Sequence, residues 1–290
     1  MGQSIRVIDP LPFGRTRVEG KRHRRKIAIR AFDCNKFRMP RFAANLTMMF
    51  NEVEFPQRFA RARAAGFAAV EFLFPYAYSP EMVAGWLRAA NVECVLFNLP
   101  PGDFEAGERG IAAIPGREAE FADSVERAIA FARALRVPRL HAMAGLRGAG
   151  ANLETYTDNL RHAAQRLAAH QIELLIEPIN PRDMPGYLLA SQTDALEVIA
   201  QVGEPNLRLQ CDLYHLQITS GDLSRTLERD IAWIGHVQIA GVPERHEPDS
   251  GEIAYPEVFQ LLDRLGYTGW IGCEYRPRGR TEDGLGWLPR

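Results

Sequence analysis

Beyond residue 38 the chain contains no lysine; its three, Lys21, Lys26 and Lys36, all precede that point, and the 24 basic residues of 39–290 are all arginines. The formal net charge of −1 over 290 residues therefore hides a split, +8 over 1–38 and −9 over 39–290. A nucleic-acid-binding surface needs basic charge to displace counterions, so the acidic balance of the longer part argues against a polyanionic partner. Cysteine is scarce: Cys34, Cys94, Cys211 and Cys273 form no Cys-x-x-Cys pair. That excludes a disulfide framework or thiolate zinc site, suits a reducing, cytoplasmic setting, and leaves each thiol as a small buried apolar group. No apolar run approaches the roughly 18–20 residues of a membrane span, so a membrane partner is not expected. What is present, 46% hydrophobic and 24% charged residues, is the composition of a globular chain with a full core.

The abrupt loss of lysine divides the chain. Residues 1–38 read as a basic extension, disordered or upstream of the true start, because Met39-Pro40-Arg41 makes a natural beginning. Its run Lys21-Arg22-His23-Arg24-Arg25-Lys26 fits a solvated tail better than a nucleic-acid or targeting patch. Residues 39–290 show no internal repeat or Pro/Gly-rich linker and read as one domain.

Eight short apolar runs suggest strands: Phe42–Leu46, Ala68–Phe74, Val92–Phe97, Arg139–Met143, Ile172–Ile176, Leu207–Cys211, His236–Ala240 and Trp270–Cys273. Between them lie segments with helical period and punctuation. Pro56 and Gly66 bracket Gln57–Ala65, Pro256 and Gly266 bracket Glu257–Leu265, and apolar stripes run through Arg117–Leu135 and from Tyr156 to Leu167. Strands alternating with helices imply a parallel sheet, and eight units in about 250 residues match a closed (β/α)₈ TIM barrel. An open doubly wound sheet is the alternative, but no Gly-x-Gly-x-x-Gly follows the first strand.

Barrel active sites form at the carboxyl ends of the strands. Those ends carry Asn45, Glu71, Asn98, His141, Glu177, Asp212, Gln238 and Glu274. A carboxylate that ends an apolar strand is costly to bury without a proton, a cation or donors. Glu177, Asp212 and Glu274 with the amide of Gln238 make an oxygen-rich set suited to Mg²⁺ or Mn²⁺. Two glutamates on separate strands also suit proton transfer beside a carbonyl through an enediolate, with His141 and His215 as polarising donors if the metal is optional. The bland alternative is an ionic network bracing the barrel mouth.

At these residues the chain resembles the hydroxypyruvate isomerase and 2-oxo-tetronate isomerase family of xylose-isomerase-like barrels. The resemblance runs through Arg41–Leu46, Val70–Tyr76, Gly107–Gly110, Ile114–Glu118, Leu175–Asn180, Asp212–His215, His236–Ala240 and Gly269–Tyr275, and covers essentially all of 39–290. It implies Glu177 and Glu274 as acid/base pair, and Glu177, Asp212, Gln238 and Glu274 around a divalent cation. It implies interconversion of hydroxypyruvate and tartronate semialdehyde, or the four-carbon equivalent. Asn45, Glu71, His141, His215 and Arg245 are expected to bind this small oxo acid, Arg245 as partner of its carboxylate. Leu175–Asn180 looks closer to the three-carbon branch and His141–Gly145 to the four-carbon one. A sugar epimerase on the same scaffold is the nearest rival. An endonuclease would need a zinc-binding histidine cluster and a basic groove, and a non-catalytic binding protein would be expected to lack part of the carboxylate set. A homo-oligomer is compatible with all of this.

Overall fold

Each expected strand forms, and the eight close on themselves. In the computed structural model, which describes residues 39–288, they are β1 Arg41–Asn45, β2 Ala69–Phe72, β3 Glu93–Asn98, β4 Arg139–His141, β5 Glu173–Ile176, β6 Leu207–Asp212, β7 Ile234–Ile239 and β8 Trp270–Cys273. Neighbours pair in parallel in sequence order, and β8 returns to β1 through the register Ala43 to Gly272. The extension expected over 1–38, its basic run and Cys34 lie outside the described residues. Cys94, Cys211 and Cys273 are free and buried, as small apolar groups should be.

The helices are α1 Phe55–Ala64, α2 Pro80–Ala90, α3 Glu118–Leu135, α4 Leu153–Ala168, α5 Gln192–Val202, α6 Leu213–Thr219, α7 Leu223–Asp230 and α8 Tyr255–Arg264. Their starts follow local chemistry. Ser79, Asn152 and Ser191 each accept a hydrogen bond from a first-turn amide of α2, α4 and α5, which satisfies donors that a helix start leaves orphaned. Proline lies in the first turns of α1, α2 and α8, where its missing N–H costs nothing. The stripes read in α3 and α4 face the core, with Phe121, Val125, Ala128 and Leu135, and Tyr156, Leu160, Ala163 and Leu167, all buried. α2, α5, α6 and α7 were not singled out by period alone. The short α6 leaves no apolar stripe to read, because it begins directly at the end of β6.

Two apolar layers result. The larger packs the helices onto the outer face of the sheet. The smaller, Ala43, Ala69, Val95, Leu96 and Leu175 with Trp270 against it, fills the barrel's interior, as period-2 alternation requires. Above it the interior turns polar. The side chain of Glu71 on β2 crosses to lie over Gly272 on β8, where an added Cβ would stand 2.3 Å from the carboxylate Oε2. Only glycine leaves that space. Gly272→Ala is accordingly expected to lower stability by about 1–3 kcal/mol, the cost of overpacking a filled interior, readable as a shift of the urea midpoint with unchanged slope. An unshifted midpoint would mean that the Glu71 carboxylate is free to move aside.

Candidate active site

The polar residues at the strand ends converge, in two tiers. The lower tier centres on Glu71, which is 1% exposed. Its Oε1 accepts from Gln238 Nε2 at 2.8 Å and from Asn45 Nδ2 at 3.1 Å. Its Oε2 lies 2.7 Å from His236 Nε2. With three donors on it, Glu71 is engaged by the protein itself, as is Gln238, whose Oε1 accepts from Gln210 Nε2 at 2.7 Å. The expectation placed Glu71 on the substrate and Gln238 on a cation. The structure shows both within one hydrogen-bonded plate beneath the mouth.

Asn45 links the tiers, since its Nδ2 also reaches Glu274 Oε1 at 3.4 Å. The upper tier holds Glu177, Asp212, Glu274, His141, His215 and Arg245. Asp212 is fixed by being the cap of α6, with Oδ1 accepting from Tyr214 N at 2.9 Å. Arg245, in the connection from β7 to α8, turns inward. Its Nη2 donates to Glu274 Oε2 at 2.9 Å and to Asp212 Oδ2 at 3.3 Å. The expected substrate arginine thus pairs here with two of the expected cation ligands. Asn98 ends β3 as a strand-end residue whose carbonyl accepts from Tyr76 Oη at 2.7 Å.

The orientation of His215 follows from its neighbours. Asp183 N donates to Asn180 Oδ1 at 2.9 Å, which turns the amide nitrogen of Asn180 toward His215 Nδ1, 2.6 Å away. Nδ1 must then accept, and the ring proton sits on Nε2. That N–H lies 3.5 Å from Asp212 Oδ2 and 3.9 Å from Glu177 Oε1. His141 Nε2 approaches Glu177 from the other side, 3.9 Å from Oε2. Burial drives both imidazoles toward the neutral form, with His141 lowered to about 3 and His215 well below its usual range. Both are neutral near pH 7, and His215 presents a fixed N–H donor.

Burial also raises the carboxylates. Glu177 is pushed well above the usual carboxylate range by burial and by the charges of Glu274 and Asp212. Glu274 rises to about 8 and Asp212 to about 6, in each case from burial opposed by the Arg245 guanidinium. Groups poised in this way mark a place where a proton or a cation belongs.

A test of the cation reading is whether donors are left without partners. Glu177 Oε1 is buried and has no hydrogen bond, and atoms of Glu177, Asp212 and His215 lie within 4.8 Å of one another. His215 offers N–H toward this point, so the oxygens of Glu177 and Asp212, with Glu274 beside them, could hold a hard divalent cation and the imidazole would donate to whatever oxygen it carries. Both His141 nitrogens are likewise buried and unbonded. Native proteins rarely leave such atoms without partners unless a ligand supplies them.

Sequence reasoning missed Asn180, Asp183, Tyr214, Gln210 and His236. Alternation could have found two, because Gln210 shares a face with Asp212 and His236 with Gln238. Asn180, Asp183 and Tyr214 had no such signal.

Comparison with known proteins bears on the family. Residues 59–290 match the model of the xylose isomerase-like TIM barrel family. The chain is 55% identical over 254 residues to a 2-oxo-tetronate isomerase of Cupriavidus necator, covering 86% of this chain and 98% of that one. It is 47% identical to the hydroxypyruvate isomerase of Escherichia coli, with the same two coverages. A crystal structure from Brucella melitensis described as an AP endonuclease of family 2 superposes with a TM-score of 0.84 at 52% identity, over 86% of this chain and 98% of that chain. A closed eight-stranded barrel, carboxylates gathered at its mouth and this degree of identity lead to one conclusion: the chain belongs to the hydroxypyruvate isomerase and 2-oxo-tetronate isomerase family of xylose isomerase-like TIM barrels.

Proposed function

We propose that this isomerase interconverts a short 2-oxo-3-hydroxy acid and its 3-oxo-2-hydroxy isomer, R–CHOH–CO–COO⁻ and R–CO–CHOH–COO⁻. With R = H the pair is hydroxypyruvate and tartronate semialdehyde. With R = CH₂OH it is the 2-oxo-tetronate pair, and the named relatives include both kinds. The observation that carries the reading is the set of buried, unbonded polar atoms on Glu177 and His141 beside Asp212 and Glu274, which a small polar substrate would satisfy.

In this reaction a proton leaves C3, an enediolate forms across C2 and C3, and a proton arrives at C2 while O3 passes its proton to O2. Glu274 and Glu177, on the ends of β8 and β5, serve as the two carbon-proton carriers. Arg245 and Asn45 bond the oxygens of Glu274 and favour its charged form relative to Glu177, which suits the base. Glu177 has no arginine bonded to it and burial favours its proton, which suits the acid. His215, locked with Nε2–H inward, donates to an enediolate oxygen, and His141 lies on the opposite side of Glu177. A divalent cation held by Glu177, Asp212 and Glu274 would supply further charge stabilisation to the same oxygens. The net charge of −9 over 39–290 counts against a polyanionic substrate.

Proton NMR in D₂O on the full chain tests this. Hydroxypyruvate and 2-oxo-tetronate are each expected to give their isomer with solvent deuterium at the reacting carbons, at kcat/KM values differing by up to about 200-fold, the most that one added carbon unit confers in a pocket. No isomer and no deuterium from either acid, with Mn²⁺ or Mg²⁺ present, would sink the assignment.

A further inference from the structure

The backbone at Arg245 is held in an unusual shape for the sake of its side chain. Its φ is +57°, in the left-handed region that a non-glycine residue seldom occupies. Its N–H donates to Gly241 O and its carbonyl accepts from Arg276 N, both at 2.8 Å. The guanidinium that this turn aims inward is 12% exposed and lies within 5.0 Å of the Tyr214 ring centroid. It faces three carboxylates. Besides Glu274 and Asp212, its Nη1 lies 3.7 Å from Asp183 Oδ2, and Asp183 is itself held by Tyr214 Oη at 3.2 Å.

Two consequences follow. Asp212 and Glu274 cannot give their full charge to a divalent cation while one guanidinium nitrogen bridges them, because two positive charges so close repel at low dielectric. Asp183 offers the guanidinium a second anchor on the solvent side of the first. A substrate carboxylate arriving beside Asp183 would complete that second position, with the planar fork suited to it.

We propose that Arg245 is a tethered competitor for the cation: it bridges Asp212 and Glu274 when no cation is bound, shifts toward Asp183 when a substrate carboxylate binds it, and so couples cation binding to substrate binding. This rests on the reading that Asp212 and Glu274 hold the cation. The coupling is reciprocal, so substrate tightens the cation as much as the cation tightens substrate.

The test is Mn²⁺ binding to the full chain, followed by the EPR signal of the free ion, with and without glycerate. Glycerate, the reduced counterpart of hydroxypyruvate, has the carboxylate but no carbonyl to isomerise. Wild type is expected to bind Mn²⁺ at least about fivefold more tightly with saturating glycerate. Arg245→Gln should bind Mn²⁺ about tenfold more tightly than wild type without glycerate, and glycerate should then change its affinity less than about twofold. Arg245→Lys, which keeps the charge, should stay within about threefold of wild type. Equal or weaker Mn²⁺ binding by Arg245→Gln, or coupling that survives in it, would overturn the proposal. So would silence toward Mn²⁺ in both proteins, and the D₂O experiment would still decide the isomerase reading by itself. Should Arg245→Gln fail to fold, Asp183→Asn gives an independent reading. Losing the second anchor should weaken Mn²⁺ binding about threefold and reduce the glycerate effect, and an unchanged response would refute the shift.

Discussion

Glu177→Gln is expected to reduce kcat by about 10³–10⁴-fold while leaving the fold intact, and Glu274→Gln to do the same. Each change keeps the volume of the side chain and removes its ability to carry a proton between carbon atoms, together with one negative charge at the site. Positioned general acids and bases contribute about 10²–10⁴-fold, and the upper part of that range applies because no other ionisable side chain nearby can substitute. Burial lowers His141 and His215 so far that their neutral rings are weak bases, and Asp212 is tied to Tyr214 N and Arg245. The two variants should differ in one respect. The carboxylate at 274 pairs with Arg245 and its loss leaves the guanidinium to Asp212 and Asp183 alone, whereas Glu177 has no arginine bonded to it. Glu274→Gln should therefore shift the KM for the oxo acid, and Glu177→Gln should change kcat with KM nearly constant. Steady-state kinetics by NMR on both variants checks this. Retention of more than a tenth of wild-type kcat in either would remove that glutamate from the chemistry.

The second large effect concerns stability. His236→Leu is expected to cost about 3–5 kcal/mol, because it leaves the carboxylate of Glu71 buried without the imidazole partner on its Oε2. Glu71 is 1% exposed and His236 is 0% exposed, so water cannot replace what is lost. For a domain of this size each kcal/mol lowers Tm by about 2–4 °C, which gives a fall of roughly 6–20 °C in thermal unfolding followed by circular dichroism. The double variant Glu71→Leu/His236→Leu should recover part of the loss, since the acid and the imidazole go together, while Gln238 and Asn45 lose their acceptor. If the single and double variants melt alike, the cost comes from packing and the Glu71–His236 contact is worth little.

Much of this molecule could be read before any coordinates. Every strand was legible because a parallel barrel covers both faces of its strands, which makes them short unbroken apolar runs. The polar residue ending each run was legible for the same reason, being out of place there. The barrel's closure gave these residues their common location, and Glu177, Asp212 and Glu274 do meet at the mouth. What remained hidden depends on contacts that no periodicity encodes. Glu71 looked like its seven counterparts, yet its carboxylate crosses the barrel to meet Gln238 and His236, a reach made possible by the missing Cβ at Gly272. Arg245 was read from the sequence as a site residue, but its pairing with Asp212 and Glu274, from a left-handed turn, was not. The tautomer of His215 needed both Asn180 and the amide of Asp183 in place.

The crossing of Glu71 has one more consequence, for how a barrel of this kind could be divided. Glu71 belongs to the second of eight units, while His236 and Gln238 belong to the seventh. A fragment holding only the first four units would keep the acid and Asn45 and lose two of the three donors on it. A fragment holding the last four would keep the bond between Gln210 and Gln238 but leave His236 Nε2 and Gln238 Nε2 without their carboxylate. Neither half holds this network complete, so the bonds from β2 past β1 and β8 to β7 favour eight units that unfold together over two joined halves.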